Sequence, residues 1–260
     1  MKDVNILIEN GANVKKALEL FGDMETYDQT LDVFLQDVPE KVEKIKNYKM
    51  IGDMANYAIL VHSLKSDARY FGFEKLADLA YDHELKSKEN DLYYVTEHFD
   101  ELMKETNRVI NLVKKYMGVG NISEDDYKKP KVVKDKSILV VDDSNLIRNF
   151  ILKILDDNFE VIIATDGKEA IDVLEDEEKS AKLKAVLLDL NMPNVNGFEV
   201  LEFFKKNDLF KKIPISIITG VDDKESIDKA FKYPIVDILL KPFNERDVKR
   251  ILEKTINSNL

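Results

Sequence analysis

Four short apolar runs in the second half of the sequence are each followed by a polar side chain. These side chains are Asp142 and Asp143 after the first run, Asp189 after another, then Thr219 and Lys241. Continuous apolar runs of this length are typical of parallel strands that are buried on both faces. The carboxyl ends of parallel strands lie along one edge of a sheet, where ligands bind. The pattern therefore predicts a crevice lined by three carboxylates, a hydroxyl and an ammonium group.

Three carboxylates in one crevice would repel one another unless a cation neutralised them. Oxygen ligands together with water suit Mg²⁺, so we predict a magnesium site there. Asp189 would then be a nucleophile that accepts a phosphoryl group as an acyl phosphate, with Lys241 and Thr219 stabilising the phosphoryl oxygens. Each residue alone has a simpler interpretation, because paired acids cap helices, threonine ends strands and Lys-Pro is a common turn. Their combination favours the chemical interpretation.

A histidine in the first half of the chain is the second candidate for chemistry. Apolar residues at helical spacing between Tyr57 and Phe71 predict a helix with one core-facing stripe, and His62 falls well away from that stripe. We therefore expect His62 to be exposed and able to act as a nucleophile or ligand. Lys65 and Arg69, one and two turns further on, would steady phosphate oxygens. The plainer alternative, a surface histidine among basic residues, stays open on this pattern.

The elements around this histidine are all predicted to be helices. From residue 13 to 116, apolar residues recur every three or four positions, with no alternating run long enough for a strand. Short turns with Gly or Asn and Asp separate the helices, which is typical of an antiparallel bundle. The predicted helices span residues 13–21, 26–48, 53–71, 74–86 and 90–118.

The elements around the carboxylates alternate between strand and helix. This alternation predicts an α/β domain in which five parallel strands form a doubly wound sheet. A polar stretch with Gly and Pro and no periodicity, residues 118–136, predicts a linker. The chain is thus expected to divide into an all-α helical domain, 1–117, and an α/β domain, 137–260. Strands are predicted at residues 138–141, 160–164, 185–188, 213–218 and 236–240.

Composition narrows the classes of function. Acidic side chains outnumber basic ones by 50 to 39 and the net charge is −11, so no binding to nucleic acid is expected. The absence of cysteine excludes disulfides, thiolate catalysis and Cys-based zinc sites, and it favours a cytoplasmic location. No apolar run has the length of a membrane span, and the start of the chain lacks the apolar core of a signal peptide. We therefore predict no membrane association.

The second half resembles the receiver domain of two-component response regulators over residues 137–257. The matches are Val-Val-Asp-Asp at 140–143, Asp-Leu-Asn-Met-Pro at 189–193 with Gly197, Thr-Gly at 219–220 and Lys-Pro-Phe at 241–243. The resemblance implies strand order 2-1-3-4-5, a cis Lys241–Pro242 peptide and Asp189 as the phosphorylated residue. It also implies that Mg²⁺ is held by Asp142, Asp143, Asp189 and the backbone carbonyl of Asn191. One departure is Ile238, where the family often has Tyr or Phe as a switch side chain.

The first half resembles the histidine-phosphotransfer (HPt) domain family over residues 10–116. The resemblance implies a helical bundle in which His62 is the phospho-acceptor and Lys65 assists it. Ser66 departs from the family, which usually has Gly at this position; serine is the next smallest residue. The residues that match the family are His62, Leu64, Lys65, Gly72, Leu76, Ala77 and Leu79.

Two resemblances on one chain predict a phosphorelay protein that accepts and passes phosphoryl groups through Asp189 and His62. Its expected partners are a histidine kinase, other receiver proteins or other HPt proteins. The sequence has no GxxxxGK[ST] loop or other glycine-rich nucleotide motif, so we do not expect a kinase or other conventional enzyme. One alternative is a receiver-controlled interaction module in which the helical domain docks partners without being phosphorylated. A metal-dependent phosphatase is a third alternative, although no substrate pocket is predicted.

Overall fold

A computed structural model describes residues 2–118, 136–155, 158–220 and 224–258 of the chain. The chain forms two compact units, one helical and one α/β, and each is described by itself. The predicted linker, 118–136, lies outside the described residues except for its first and last positions, so it stays a prediction. Among the helices of the described ranges, none is long and apolar enough to cross a membrane.

The helical unit contains the five predicted helices and one short helix before them. The short helix is a single turn, and one turn carries too few residues for a periodic pattern to reveal it. Aspartates cap the long helices: Asp23, Asp53 and Asp91 each accept a hydrogen bond from the backbone N–H three residues further on. The helices are α1 (Asn5–Ile8), α2 (Val14–Phe21), α3 (Met24–Ile51), α4 (Met54–Tyr70), α5 (Glu74–Lys88) and α6 (Leu92–Met117).

Helix α4 is the central helix of this unit, and it packs against α2, α3 and α5. Every residue from Leu60 to Ala68 is buried, so this stretch of α4 is covered on all of its faces. The turn that follows brings α5 back along α4, and Gly72 there has a left-handed backbone with φ of 74°. A Cβ atom at Gly72 would lie 2.5 Å from the carbonyl oxygen of Asn13, so the turn also needs glycine for space.

The α/β unit is a five-stranded parallel sheet with strand order 2-1-3-4-5, as predicted. Helices flank the sheet; α9 and a 3-10 turn at Leu209–Lys211 were not anticipated from the sequence. The strands are β1 (Ser137–Val141), β2 (Glu160–Ala164), β3 (Leu183–Asp189), β4 (Ile215–Gly220) and β5 (Ile238–Lys241). The helices are α7 (Asn145–Leu155), α8 (Gly167–Glu175), α9 (Glu177–Lys182), α10 (Gly197–Lys206), α11 (Lys224–Ala230) and α12 (Glu245–Ile256).

Strand register brings the polar residues to one edge of the sheet. Val141 pairs with Leu188, so the residues that follow them, Asp142 and Asp189, are neighbours across β1 and β3. On the other side, Gly220 of β4 pairs with Lys241 of β5. The central strands β1, β3 and β4 are almost completely buried, which matches their continuous apolar sequence.

Candidate functional site

Three carboxylates meet at the carboxyl edge of the sheet. Asp142, Asp143 and Asp189 each place one oxygen within 4.8 Å of the oxygens of the other two. Asp142 and Asp189 are fully buried, whereas Asp143 is half-buried. Burying carboxylates is expensive unless a cation or hydrogen bonds compensate their charge. The cluster therefore needs positive charge close by.

Lys241 supplies part of that charge. Its Nζ lies 2.8 Å from Asp142 Oδ2 and 2.8 Å from Asp189 Oδ2, and the lysine itself is buried. Burial alone would lower the pKa of Lys241, but the charges of the two carboxylates outweigh this effect and raise it. Burial raises the pKa of Asp142 to about 6 even though Lys241 acts in the opposite direction. Lys241 is thus the buried counter-ion that joins the two aspartates.

The surrounding backbone holds Asp189 in position. The backbone N–H of Asn191 donates a hydrogen bond to Asp189 Oδ1 at 3.2 Å. Gly197 lies so close that a Cβ atom there would be 2.3 Å from the backbone oxygen of Asp189. The Lys241–Pro242 peptide is cis, as the resemblance implied. In the described part of the chain, the buried hydroxyl of Thr219 has no hydrogen-bond partner.

The donor set of this edge fits Mg²⁺. The three carboxylates carry three negative charges when all are ionised and Lys241 carries one positive charge, so a divalent cation would reduce the negative charge of the cluster further. Carboxylate oxygens are the ligands that Mg²⁺ prefers, and half-buried Asp143 leaves room for water ligands. Three of the residues predicted to hold the metal, Asp142, Asp143 and Asp189, are therefore brought together, and their carboxylates suit it.

The expectation that His62 is exposed was wrong. Only 4% of its surface is accessible, and the neighbouring Lys65 and Ser66 are buried as well. Apolar periodicity locates the stripe of α4 that meets the core, but it does not reveal polar residues that are covered by charged partners on other helices. On one side of α4, Lys41 of α3 reaches Ser63 and Asp67. On the other side, α5 covers His62.

Glu84 of α5 is the partner of His62, and sequence reasoning missed it. Its Oε1 accepts a hydrogen bond from His62 Nδ1 at 2.9 Å, while Oε2 lies 2.7 Å from Lys65 Nζ. Lys88 Nζ also contacts Oε1 at 2.7 Å. The spacing contained a signal for this contact. His62 lies ten residues before Gly72 and Glu84 lies twelve after it, so an antiparallel pair of helices turning there brings the two side chains together.

The electrostatics of this cluster keep Glu84 ionised. Burial would raise the pKa of Glu84, but the hydrogen bond from His62 and the positive charges around it hold the pKa well below its usual range. An ionised Glu84 can only accept a hydrogen bond, so Nδ1 of His62 carries the hydrogen. In a neutral His62 the lone pair therefore lies on Nε2. Within the described residues, Nε2 is buried and has no hydrogen-bond partner.

The lowered pKa of Glu84 predicts acid sensitivity of the helical unit. Its stabilising contribution is complete above the unfolded-state pKa, 4.5, and is lost as pH falls toward the lower folded-state pKa. Glu84→Gln should therefore cost about 3 kcal/mol at pH 7, because it removes the buried carboxylate that contacts buried Lys65 at 2.7 Å. Below pH 4.5 the difference from wild type should shrink. Hydrogen exchange of peptides from α4 and α5 at several pH values would measure both effects.

The matched control for this test is Glu97→Gln, which changes an exposed glutamate on α6. We expect it to alter neither the stability of the helical unit nor its pH dependence. A Glu84→Gln protein whose deficit persists unchanged in acid would contradict the assigned ionisation of Glu84.

Comparison with known proteins agrees with both resemblances. The family model for the response regulator receiver domain matches residues 138–253, and the model for the Hpt domain matches residues 29–109. The Helicobacter pylori chemotaxis protein CheY1 is 32% identical over 124 residues, 47% of this chain and 98% of that protein. The Arabidopsis thaliana two-component response regulator ARR6 is 31% identical over 122 residues, 44% of this chain and 66% of that protein. The solved structure of Vibrio cholerae CheY4 is 29% identical, with a TM-score of 0.41, and covers 46% of this chain and 98% of that one.

The chain therefore belongs to the response regulator receiver family and carries an Hpt domain before its receiver domain. The two families predicted from the motifs are confirmed, together with the fold of each half. They make the chain a protein of two-component phosphorelay signalling rather than a conventional enzyme.

Proposed function

We propose that this protein is a phosphorelay intermediate that carries phosphoryl groups on Asp189 of its receiver domain and on His62 of its Hpt domain. The observation that carries the proposal is the state of His62. Its Nδ1 is held by Glu84, and its Nε2 has no partner among the described residues. A ring fixed in this way presents one nucleophilic nitrogen. The carboxylate cluster of the receiver domain offers the second acceptor.

The receiver reaction uses Asp189 as nucleophile. Its carboxylate oxygen would bond to the phosphorus of a donor, and the bond from phosphorus to the donor would break, with the electron pair leaving on the donor. Lys241 would stabilise the phosphoryl oxygens by its charge, and the Thr219 hydroxyl would donate a hydrogen bond. The proposed ligands of Mg²⁺ are Asp142, Asp143, Asp189 and the backbone carbonyl of Asn191. When bound, the metal would neutralise the carboxylates and the incoming phosphoryl charge.

The histidine reaction uses Nε2 of His62. Its lone pair would attack the phosphorus of a phosphoaspartate, the P–O bond would break, and the aspartate would leave as a carboxylate. The proton stays on Nδ1, so the phosphorylated ring carries a positive charge that Glu84 would stabilise at 2.9 Å. Lys65, held by Glu84, keeps a second positive charge near the incoming group. Because Nε2 is buried, transfer requires that this atom first become accessible.

The proposed partners are a histidine kinase and other receiver or HPt proteins. The sequence contains no nucleotide-binding motif, so the phosphoryl groups would have to come from another protein. A cytoplasmic location is part of the proposal, and the absence of cysteine favours it. The alternative of a docking module is less well supported, because docking alone has no use for the contacts by which Glu84 fixes the ring of His62 and holds Lys65 beside it.

The test is to incubate the full-length protein with Mg²⁺ and radiolabelled acetyl phosphate and to map the label by mass spectrometry. Acyl phosphates are destroyed by alkali and phosphohistidine survives it, so the two acceptors can be told apart. We expect His62→Gln to lose all alkali-stable label, while the matched variant His98→Gln, altered at an exposed histidine of α6, keeps it. Alkali-stable label that survives in His62→Gln would refute the role of His62.

A double variant, His62→Gln with Asp189→Asn, extends the test to both acceptors and should carry no label. Alkali-stable label in the wild type that disappears in Asp189→Asn alone would show that the two domains exchange phosphate. Label confined to Asp189 would direct the search to the receiver of another protein as the donor for His62.

A further inference from the structure

Ser66 is a buried hydroxyl that the proposed reaction does not yet use. Only 6% of its surface is accessible, and within the described residues its Oγ has no hydrogen-bond partner. Leaving a buried hydroxyl unpaired costs free energy, so such groups need an explanation. The other unpaired atom on the same helix is Nε2 of His62.

Three threonine hydroxyls on helices of this chain show a bond that the hydroxyl of Ser66 does not make. Thr30, Thr106 and Thr255 each donate a hydrogen bond to the carbonyl oxygen four residues earlier, at 2.6 to 2.7 Å. For Ser66 the equivalent acceptor is the carbonyl oxygen of His62, and no such bond forms. The donor hydrogen of Ser66 is therefore available to another group.

The position of Ser66 points to the nature of that group. Residues four apart on a helix are neighbours on one face, so Ser66 lies one turn from His62. Lys65, the residue before Ser66, already contacts Glu84, and the hydroxyl of Ser66 is a neutral donor one helical turn from His62. A phosphoryl group on Nε2 would bring strong acceptor oxygens and negative charge into this space.

We propose that the Ser66 hydroxyl donates a hydrogen bond to a phosphoryl oxygen carried on His62 Nε2. This inference rests on the proposed function of His62 and assigns a further residue to that site. Ser66 is a positioning and stabilising residue for the phosphorylated state, and among the described residues its hydroxyl has no hydrogen-bond partner in the unphosphorylated one. Because the resemblance places glycine here, this donor belongs to the chain's own version of the site.

A purely structural hydroxyl and a phosphoryl donor predict opposite effects of Ser66→Ala. If Ser66 stabilised the unphosphorylated fold, its removal would destabilise α4. If it serves the phosphoryl group, removal of an unpaired hydroxyl leaves stability unchanged or higher. The matched control is Ser63→Ala on the same helix, because Ser63 accepts a hydrogen bond from Lys41 at 3.0 Å. Ser63→Ala should lose stability and leave the phosphorylated state unaffected.

The experiment uses the full-length chain with Asp189→Asn and His98→Gln, so that neither the receiver aspartate nor the exposed histidine of α6 takes the phosphoryl group and the signal of His62 can be followed. Phosphoramidate, a small P–N donor, would transfer its phosphoryl group to Nε2 with release of ammonia. Phosphorus NMR then gives the ratio of phosphorylated to free His62 at a fixed ratio of phosphoramidate to ammonia. We expect Ser66→Ala to lower this ratio roughly tenfold, as for loss of a hydrogen bond to a charged group. Hydrogen exchange of α4 peptides should show no loss of stability in the same variant.

Two outcomes would overturn the inference. An unchanged ratio in Ser66→Ala, with His62 labelled in the parent protein, removes the role of Ser66 and leaves the proposed function intact. If His62 takes no label from phosphoramidate in the chain with Asp189→Asn, and none from acetyl phosphate in the wild type, the proposed role of His62 is refuted and the inference about Ser66 fails with it.

Discussion

Replacing Asp189 by asparagine is expected to abolish phosphorylation of the receiver domain by acetyl phosphate, to below about 1% of the wild-type level. The amide nitrogen and oxygen of asparagine cannot form the acyl phosphate that a carboxylate forms. The protein should remain folded, because the substitution removes one of two buried carboxylates that repel each other next to Lys241. Alkali-labile label, quantified per mole of protein, measures the effect, and thermal unfolding confirms the fold.

The matched control for this prediction is Asp228→Asn, at an exposed aspartate of α11 in the same unit. It makes the same chemical change away from the cluster, and phosphorylation should stay at the wild-type level. Alkali-labile label that persists in a folded Asp189→Asn protein would show that another carboxylate is the acceptor.

Replacing Lys241 by methionine is expected to destabilise the receiver domain by about 3–5 kcal/mol in buffer with a chelator. The substitution keeps an apolar side chain of similar length but leaves Asp142 and Asp189 buried without their shared cation. Added Mg²⁺ should restore part of this stability, because it binds the folded state and no longer competes with the ammonium group. Urea unfolding, followed by hydrogen exchange of the sheet, measures the loss of stability in chelator and the recovery with Mg²⁺.

Lys232→Met serves as the control, since Lys232 is exposed and lies outside the cluster. Its stability should match the wild type within about 0.5 kcal/mol under both conditions. A Lys241→Met protein as stable as wild type in chelator would mean that the carboxylates do not depend on this counter-ion. An equal gain from Mg²⁺ in both proteins would mean that Lys241 and the metal do not compete.

The fold of the α/β half could be predicted from the sequence because it depends on local patterns. Continuous apolar runs marked the buried strands, and the residue after each run marked an end of the sheet. Right-handed parallel connections then leave few topologies, so the carboxyl ends of the strands meet on one edge. The short helix α9 carries no apolar face to mark it in advance, since none of its residues is buried.

The helical half was harder to read at its candidate site. Periodicity located α4, but it placed His62 on an exposed face. The error came from treating polar residues as solvent-facing, when Glu84 pairs with both His62 and Lys65 inside the bundle. A pattern based only on apolar positions does not predict which polar residues are buried as ion pairs.

The sequence alone therefore determined the two families, the order of elements and the residue types available for phosphoryl chemistry. These depend on local periodicity, caps, turns and motif spacing. The tertiary structure decided which side chains became partners: Lys241 between Asp142 and Asp189, and Glu84 on the Nδ1 side of His62. It also decided that Ser66 and Nε2 of His62 are buried without partners in the described residues. Partners and burial depend on contacts between residues distant in the chain, which no local pattern specifies.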